Sequence, residues 1–348
     1  MKPRLKSIKT YLIGVTVVFT LLVTLLITTF VYTLFSRLLS ESLIQSTTYN
    51  LSLASESISK DILPITSFAN WCESNVELAK YIESANQMNQ AAKDYSSDPS
   101  LEIKQIYERE KSEVRQQSLA SWKRLLEEFR NNRSSLYINR IIVSSFEGNY
   151  LQISPTSSYL SLNIFDTVTS LPGFDRQLAS RNILWTGIEE DPFGEIANAK
   201  MLPLIRPVYA AYANDIIGWS YLSISQKIIT DVFSVYELPT DSQLFVTINE
   251  QTYQVTQDTL IPYAFETIDL NQQVQAFTDD NGNSRQLITY PSSINGWYLS
   301  QTLSMEQLST QKNIYFLLLI AIALVVMLMG FLLTFFLSHK INRPSSQL

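Results

Sequence analysis

Two apolar stretches bracket the chain and constrain it more than any other feature. Tyr11 to Phe35 carries no charged residue over 25 positions, and Ile314 to Leu337 carries none over 24. At about 1.5 Å per residue, each helix would exceed the roughly 30 Å hydrocarbon core of a bilayer. Between them lie 278 residues, Ser36 to Asn313, and eleven residues follow the second stretch. The pattern predicts two transmembrane helices, 11–35 and 314–337, with one large domain between them.

Charge sets the expected orientation. Lys2, Arg4, Lys6 and Lys9 precede the first stretch, Lys340 and Arg343 follow the second, and neither flank holds an acid. The remaining 20 of 26 basic residues face all 32 acidic ones, so the middle region carries −12. Short basic flanks stay in the cytoplasm, whereas a long loop crosses largely regardless of charge. Both termini (1–10 and 338–348) are therefore expected in the cytoplasm of a two-span cell-membrane protein, with 36–313 outside. The first apolar run is much longer than the 7–15 residues of a signal-peptide core, and no A-x-A-like site follows it. It reads as an uncleaved anchor.

The outer region divides by period. From Leu51 the apolar residues Ala54, Ile58, Ile62, Ile65 and Ala69 follow at spacings of three or four, one face of a long helix. Pro64 should kink or break it. Ser100 is placed to cap a second helix, Leu101 to about Asn131. Residues 36–135 thus read as a helical stalk. Strand signals follow: Leu136–Ser154 turning at Glu147-Gly148-Asn149, a short strand at Asn182–Gly187, and Met201–Ala213 with Ile216–Ser225 turning at Asn214-Asp215. Gln226–Tyr236 reads as a short helix that closes a first module, 136–236. Leu244–Ile248, Thr252–Val255, Arg285–Tyr290 and Trp297–Leu303 are candidate strands of a second, 237–313. Turns are expected at Asn281-Gly282 and Asn295-Gly296, and a helix from Ser304 leads into the second span.

Several function classes fall away. The single histidine is His339, so the outer region has no Ser-His-Asp or Cys-His machinery and no His-ligated zinc site. No phosphate-binding glycine loop occurs. The acidic exterior disfavours nucleic acid, and spans without ionisable residues offer no path for a polar solute. The lone Cys72 excludes an intrachain disulfide. No catalytic residue, cofactor or metal is expected. Binding outside and reporting inside remain. A small-molecule pocket would use aromatics with a few polar groups, and Trp185, Arg206, Tyr209, Tyr212 and Asp215 are the candidates. Arg206 stands inside an apolar run and needs a partner, either a fixed acid or an anionic ligand group.

The order of parts resembles a known family. RIIVSSFEGNYLQIS (140–154), ILWTGIEEDPF (183–193), LPLIRPVYAAYANDIIGWSYLSIS (202–225) and INGWYLSQTLSMEQL (294–308) look like the double Cache, tandem PAS-like, sensor region of bacterial transmembrane receptors. They are most similar to the YesM-like group of sensor histidine kinases. The tail LSHKINRPSSQL (337–348) is similar to the start of a HAMP linker, with Ile341 and Leu348 seven apart. The resemblance implies an α+β fold, two antiparallel-sheet modules on a long helix flanked by two membrane helices. It also implies a membrane-distal first module and a membrane-proximal second one. The family's amino-acid element Arg-x-Trp-Tyr has only Arg181-x-x-x-Trp185 as its counterpart, so no amino-acid ligand is implied. A carbohydrate or a ligand-loaded binding protein is the implied partner. A parallel homodimer with its seam along Leu51–Ala69 is the implied assembly. The output would lie beyond Leu348, in a histidine kinase, a chemotaxis receptor or a cyclic-dinucleotide enzyme, the chain being a fragment or a truncated product. The rival outside this family is a two-span polysaccharide chain-length regulator, which predicts a mostly helical exterior.

Overall fold

The computed structural model describes residues 4–154, 163–193, 199–236, 242–265, 268–278, 282 and 284–340. The HAMP-like segment after Lys340 and the turn residue Asn281 lie outside the described residues. The first helix, α1, runs unbroken from Arg4 to Ser74, 71 residues. It therefore carries the first apolar stretch on into the first part of the stalk region. Pro64 does not end it. Ile62, Ile65 and Ala69 around the proline are at most 3% exposed, and this packing outweighs the lost helical hydrogen bond. The break comes at Asn75, whose side chain accepts from the amides of Glu77 and Leu78 at 3.0 Å each and starts α2 (Val76–Ser97). Ser100 caps α3 (Leu101–Asn131), as its sequence predicts. Ser121 of α3 donates to the Glu77 carbonyl at 2.9 Å, and Tyr95 stacks on Tyr107.

The first sheet contains β1 (Ile138–Ser145), β2 (Tyr150–Ile153), β3 (Glu189–Glu190), β4 (Lys200–Tyr209) and β5 (Ile216–Ser225), in the order β2-β1-β5-β4-β3. All its pairings are antiparallel. The expected strand at Asn182–Gly187 is instead an irregular segment, and the strand begins only at Glu189. Strands β4 and β5 are buried at nearly every position rather than at alternate ones. Such runs require both faces of a sheet to be covered. On one face Ile142, Ile205, Trp219 and Tyr221 pack with α4 (Ile164–Thr169) and α5 (Phe174–Ala179). On the other, Gly218 lets α2 approach. A Cβ there would stand 2.3 Å from the Ser144 carbonyl and 3.1 Å from Ile82. A short helix, α6 (Lys227–Ser234), follows β5.

The second sheet has six strands, in the order β8-β7-β6-β11-β10-β9. They are β6 (Leu244–Ile248), β7 (Gln251–Val255), β8 (Leu260–Tyr263), β9 (Val274–Thr278), β10 (Ser284–Pro291) and β11 (Trp297–Ser304). β8 and β9 are additions to the four strands expected from sequence. Strands β6 and β7 are joined by Asn249 and Glu250, both at positive φ (45° and 72°), as a two-residue hairpin turn requires. The last strand passes without a linker into α7 (Met305–Lys340). The fold is thus α+β, with two antiparallel sheets flanked by two helices long and apolar enough to cross a membrane. Eleven strands among the described residues do not match the mostly helical exterior of a chain-length regulator.

The stalk seam needs a correction. Leu51, Ala54, Ile58, Ile62, Ile65 and Ala69 are all 0–3% exposed within a single chain, so they are core and cannot form a contact between two copies. Beside them, Ser55 bonds Ser292 at 2.8 Å, Ser59 bonds Ser293, and Asn132 donates to the Pro64 carbonyl at 2.8 Å.

Near the end of α1, Arg206 of β4 is 3% exposed and its Nε donates to Glu73 Oε2 at 2.8 Å. Its other nitrogens reach Glu73 and the carbonyls of Ser180 (3.2 Å) and Arg181 (3.1 Å). Removing one partner strands a buried charge. Arg206→Met or Glu73→Leu alone should cost about 3 kcal/mol, the low end of the buried-pair range because Glu73 keeps 17% exposure. The double variant should recover most of that loss. Thermal unfolding of the four proteins in detergent closes the cycle, and additive losses would mean that the pair is not coupled.

Candidate functional site

The segment after Trp185 turns at a glycine whose backbone strains any residue with a Cβ. Gly187 has φ +123°, and a Cβ there would lie 2.2 Å from Gln251 Oε1 and 3.0 Å from the Tyr253 hydroxyl. The bare backbone lets Ile188 N donate to the Tyr253 hydroxyl at 2.9 Å, and that hydroxyl donates to Gln251 Oε1. Tyr253 is 4% exposed. Burial pushes its pKa up, the Ile188 bond opposes this, and Glu189 adds to it. Trp185 meets Trp297 edge to face, with centroids 5.5 Å apart. The segment following Trp185 is thereby fastened to β7 and β11 of the second sheet.

Next to this junction lies a groove of about 710 Å³. One wall is Ile188 and Glu189, the floor is Gln251 to Tyr253, and the far wall is Pro262 to Phe265 with Ile268 and Leu270. Tyr263 and Phe265 lean on each other and on the buried Phe245, with all three centroid separations 4.8–4.9 Å. Glu250 closes the groove from the β6–β7 turn. Glu189 is half-buried, and desolvation raises its pKa above the ordinary carboxylate value. No lining residue is Lys, Arg, His or Cys. The wall chemistry suits non-covalent binding of a molecule with apolar or aromatic parts.

The first sheet holds a second group of buried polar atoms. The Arg140 guanidinium lies 4.2 Å from the Phe193 ring centroid, and Arg140 is 4% exposed. The Tyr221 hydroxyl lies 3.4 Å from Met201 Sδ, and burial pushes its pKa up. Trp219 is fully buried between Phe165 and Phe174, its Nε1 unpartnered among the described residues.

The five residues singled out from sequence fall into three environments. Trp185 is packed on Trp297. Arg206 has found its fixed acid, Glu73. Tyr209 ends β4, Tyr212 is 88% exposed in the β4–β5 turn, and Asp215 is exposed in the same turn. That turn is tied down by Glu83, which accepts from Ala211 N at 3.0 Å. Sequence reasoning missed Glu73, 133 positions from Arg206, and Tyr253, 65 from Ile188. The one available signal for the second was Gly187, in a chain with only nine glycines.

No protein-family model and no curated protein sequence matches the chain. Solved structures do. The ligand-binding domain of the Pseudomonas fluorescens chemoreceptor CtaA in complex with L-isoleucine superimposes with TM-score 0.50 at 9% identity, covering 79% of this chain and 98% of that one. The same domain with L-serine gives 0.49 at 12%, covering 77% and 99%. The ligand-binding domain of the Campylobacter jejuni chemoreceptor Tlp3 with L-valine gives 0.46 at 12%, covering 79% and 97%. At these identities the likeness is one of fold. The fold matches that of Cache-like sensor domains.

Gly187→Ala tests the junction. The left-handed backbone alone costs about 1–3 kcal/mol for a residue with a Cβ, and the approach to Gln251 adds to it. The melting temperature should fall, and Gln251→Gly in the same chain should restore part of the loss. An unchanged melting temperature for Gly187→Ala would refute the close approach.

Proposed function

We propose that this chain is a membrane-anchored sensor that binds a small molecule outside the cell and reports through its two membrane helices. The observation that carries this reading is continuity. The first span continues into the stalk region as one helix as far as Ser74, and the last strand of the second sheet enters α7 with no intervening residue. A shift in the sheet-bearing region therefore has a continuous main-chain route to the membrane helices at both ends. The likeness to the CtaA domain, which binds L-isoleucine in its own structure, supports a ligand-sensing role for the fold.

In this reading the basic flanks hold both termini in the cytoplasm, the first module is membrane-distal, and the second is membrane-proximal. The groove beside Ile188 and Tyr253 receives the ligand. The HAMP-like tail leads to a cytoplasmic output, a two-component histidine kinase by resemblance, and a chemotaxis receptor fits the same plan. Signalling requires that ligand bind two arrangements of the helices with different affinity. The reading includes a homodimer whose seam is the exposed face Tyr49, Leu53, Glu56, Lys60, Leu63 and Ser67, spaced four and three apart like a coiled-coil stripe.

Two experiments test the reading. The native thiol of Cys72 is fully buried, and burial pushes its pKa up. A membrane-impermeant maleimide should therefore label intact cells only when a second cysteine is added. Tyr212→Cys should be labelled, and protection of it in cells, lifted by permeabilisation, would invert the topology. Phe35 and Tyr315 have ring centroids 4.5 Å apart. The rate of disulfide formation between Phe35→Cys and Tyr315→Cys should change with any compound that raises the melting temperature of the full chain. A rate indifferent to every such compound would sink the signalling role.

The dimer seam is checked separately by oxidative crosslinking in membranes. Leu63→Cys should link two copies and Leu51→Cys should not.

A further inference from the structure

The groove has an electrostatic imbalance that selects a ligand class. Its aromatic and apolar walls, Tyr263, Phe265 and Pro262, suit the body of an organic molecule. Its polar groups are largely committed. The Tyr253 hydroxyl accepts from Ile188 N and donates to Gln251 Oε1, and the Thr252 hydroxyl is paired with Thr247 at 2.8 Å. What remains to meet a ligand is the Gln251 amide nitrogen and two carboxylates, Glu189 and Glu250. Neither carboxylate has an ion pair among the described residues, and the lining contributes no positive charge to balance them. Glu250 is held there at φ 72°, a conformation that disfavours any residue with a Cβ. Glu250 is exposed and Glu189 half-buried; the half-desolvated charge of Glu189 without a counter-charge is costly, and a cation that brings its own N–H donors relieves that cost. The half-buried Tyr263 and Phe265 rings that line the groove add attraction for the same cation.

We propose that this groove is a site for an organic cation, an ammonium group carried on an aromatic or apolar body. This inference rests on the reading of the groove as the sensor's ligand site and narrows it to one class. A neutral polyol would also stack on the rings and donate to the carboxylates, but it leaves the half-buried charge of Glu189 uncompensated.

The test measures binding to the full chain in lipid nanodiscs by saturation-transfer NMR and calorimetry. The probes are paired isosteres: 2-phenylethylamine with 2-phenylethanol, and isoamylamine with isoamyl alcohol. The amines should bind at least about tenfold more tightly than the alcohols, and Glu189→Gln or Glu250→Gln should each lower amine affinity by about tenfold. Added salt should weaken the amines and spare the alcohols. Ala264→Trp, which fills the groove, should abolish binding of both. Amine and alcohol bound equally, and both lost in Ala264→Trp, would overturn the cation class while leaving the groove as the ligand site. Amine binding that survives Ala264→Trp and both Gln variants would place the cation elsewhere and overturn the proposal. No binding by either amine at millimolar concentration would overturn it as well. The sensor reading fails by a different observation: amines bound in the groove with no change in the Phe35→Cys/Tyr315→Cys disulfide rate.

Discussion

The buried stripe of α1 from Leu51 to Cys72 is the feature on which the sheet-bearing region is built. Leu51, Ala54, Ile58, Ile62, Ile65, Phe68, Ala69 and Cys72 are each at most 3% exposed. A fully buried Ile, Leu or Phe contributes about 1.5–3 kcal/mol relative to exposure, so this one helix face anchors a large share of the core. Polar ties run along its edges. Ser55 and Ser59 hold the β10–β11 turn, the Tyr236 hydroxyl donates to the Asn50 carbonyl, and Asn132 donates to that of Pro64. Glu73 takes Arg206. Four segments far apart in sequence thus share one helix as their reference frame. That sharing is why a proline in the middle of the stripe does not end the helix: its neighbours are fixed by packing on both sides.

The two helices long and apolar enough to cross a membrane would obey different physics there. Lipid gives them no hydrophobic drive to associate, so close packing and local satisfaction of polar groups decide. Thr20 and Thr24 donate to carbonyls four residues back, Thr16 and Thr20 respectively, which removes their hydroxyls from competition with lipid. Gly330 sits where a Cβ would lie 3.7 Å from the Thr20 methyl, an ordinary van der Waals distance. Tyr32 meets Phe316 edge to face, and Phe35 meets Tyr315. No ion pair or buried charge locks these helices among the described residues. A contact made of methyl groups and ring edges can change register or tilt at small cost, which is what the proposed relay would require.

What the sequence revealed and what it hid divide by sequence separation. The two spans, the Ser100-capped helix and the strand pairs at 138–153 and 200–225 rest on local signals: unbroken apolar runs, a capping serine, turn residues between hydrophobic runs. They were legible. Strands β8 and β9 were not, because LIPY and VQAFT are short and lack clean alternation. Pro64 misled because its local penalty is overridden by distant contacts. The Asn182–Gly187 segment has the apolar content of a strand, yet its role is to drop Trp185 onto Trp297 and bring Ile188 to Tyr253, which no local pattern encodes. Arg206 announced that it needed a partner. Only the fold could say that the partner was Glu73 and not a ligand, and that Tyr212 and Asp215 stand exposed in a turn while Trp185 is buried against Trp297.

The groove and the junction share atoms, and this links binding to the fold. Tyr253 supplies the groove floor and also holds Ile188. Glu189, the next residue, carries a raised pKa because it is partly removed from water without a counter-charge. A carboxyl whose folded pKa lies above its unfolded value binds more protons in the folded state. Its stabilising contribution is therefore present at low pH and is lost as pH rises past the ordinary carboxylate value. Once ionised, Glu189 holds this unrelieved charge beside the hydrogen bond that ties Ile188 to the second sheet. A positively charged group in the groove would lower the Glu189 pKa, favour the ionised form and remove the penalty while Tyr253 keeps its hold. Ligand binding would then tighten the junction through one residue's electrostatics, with no need for a large rearrangement of either sheet.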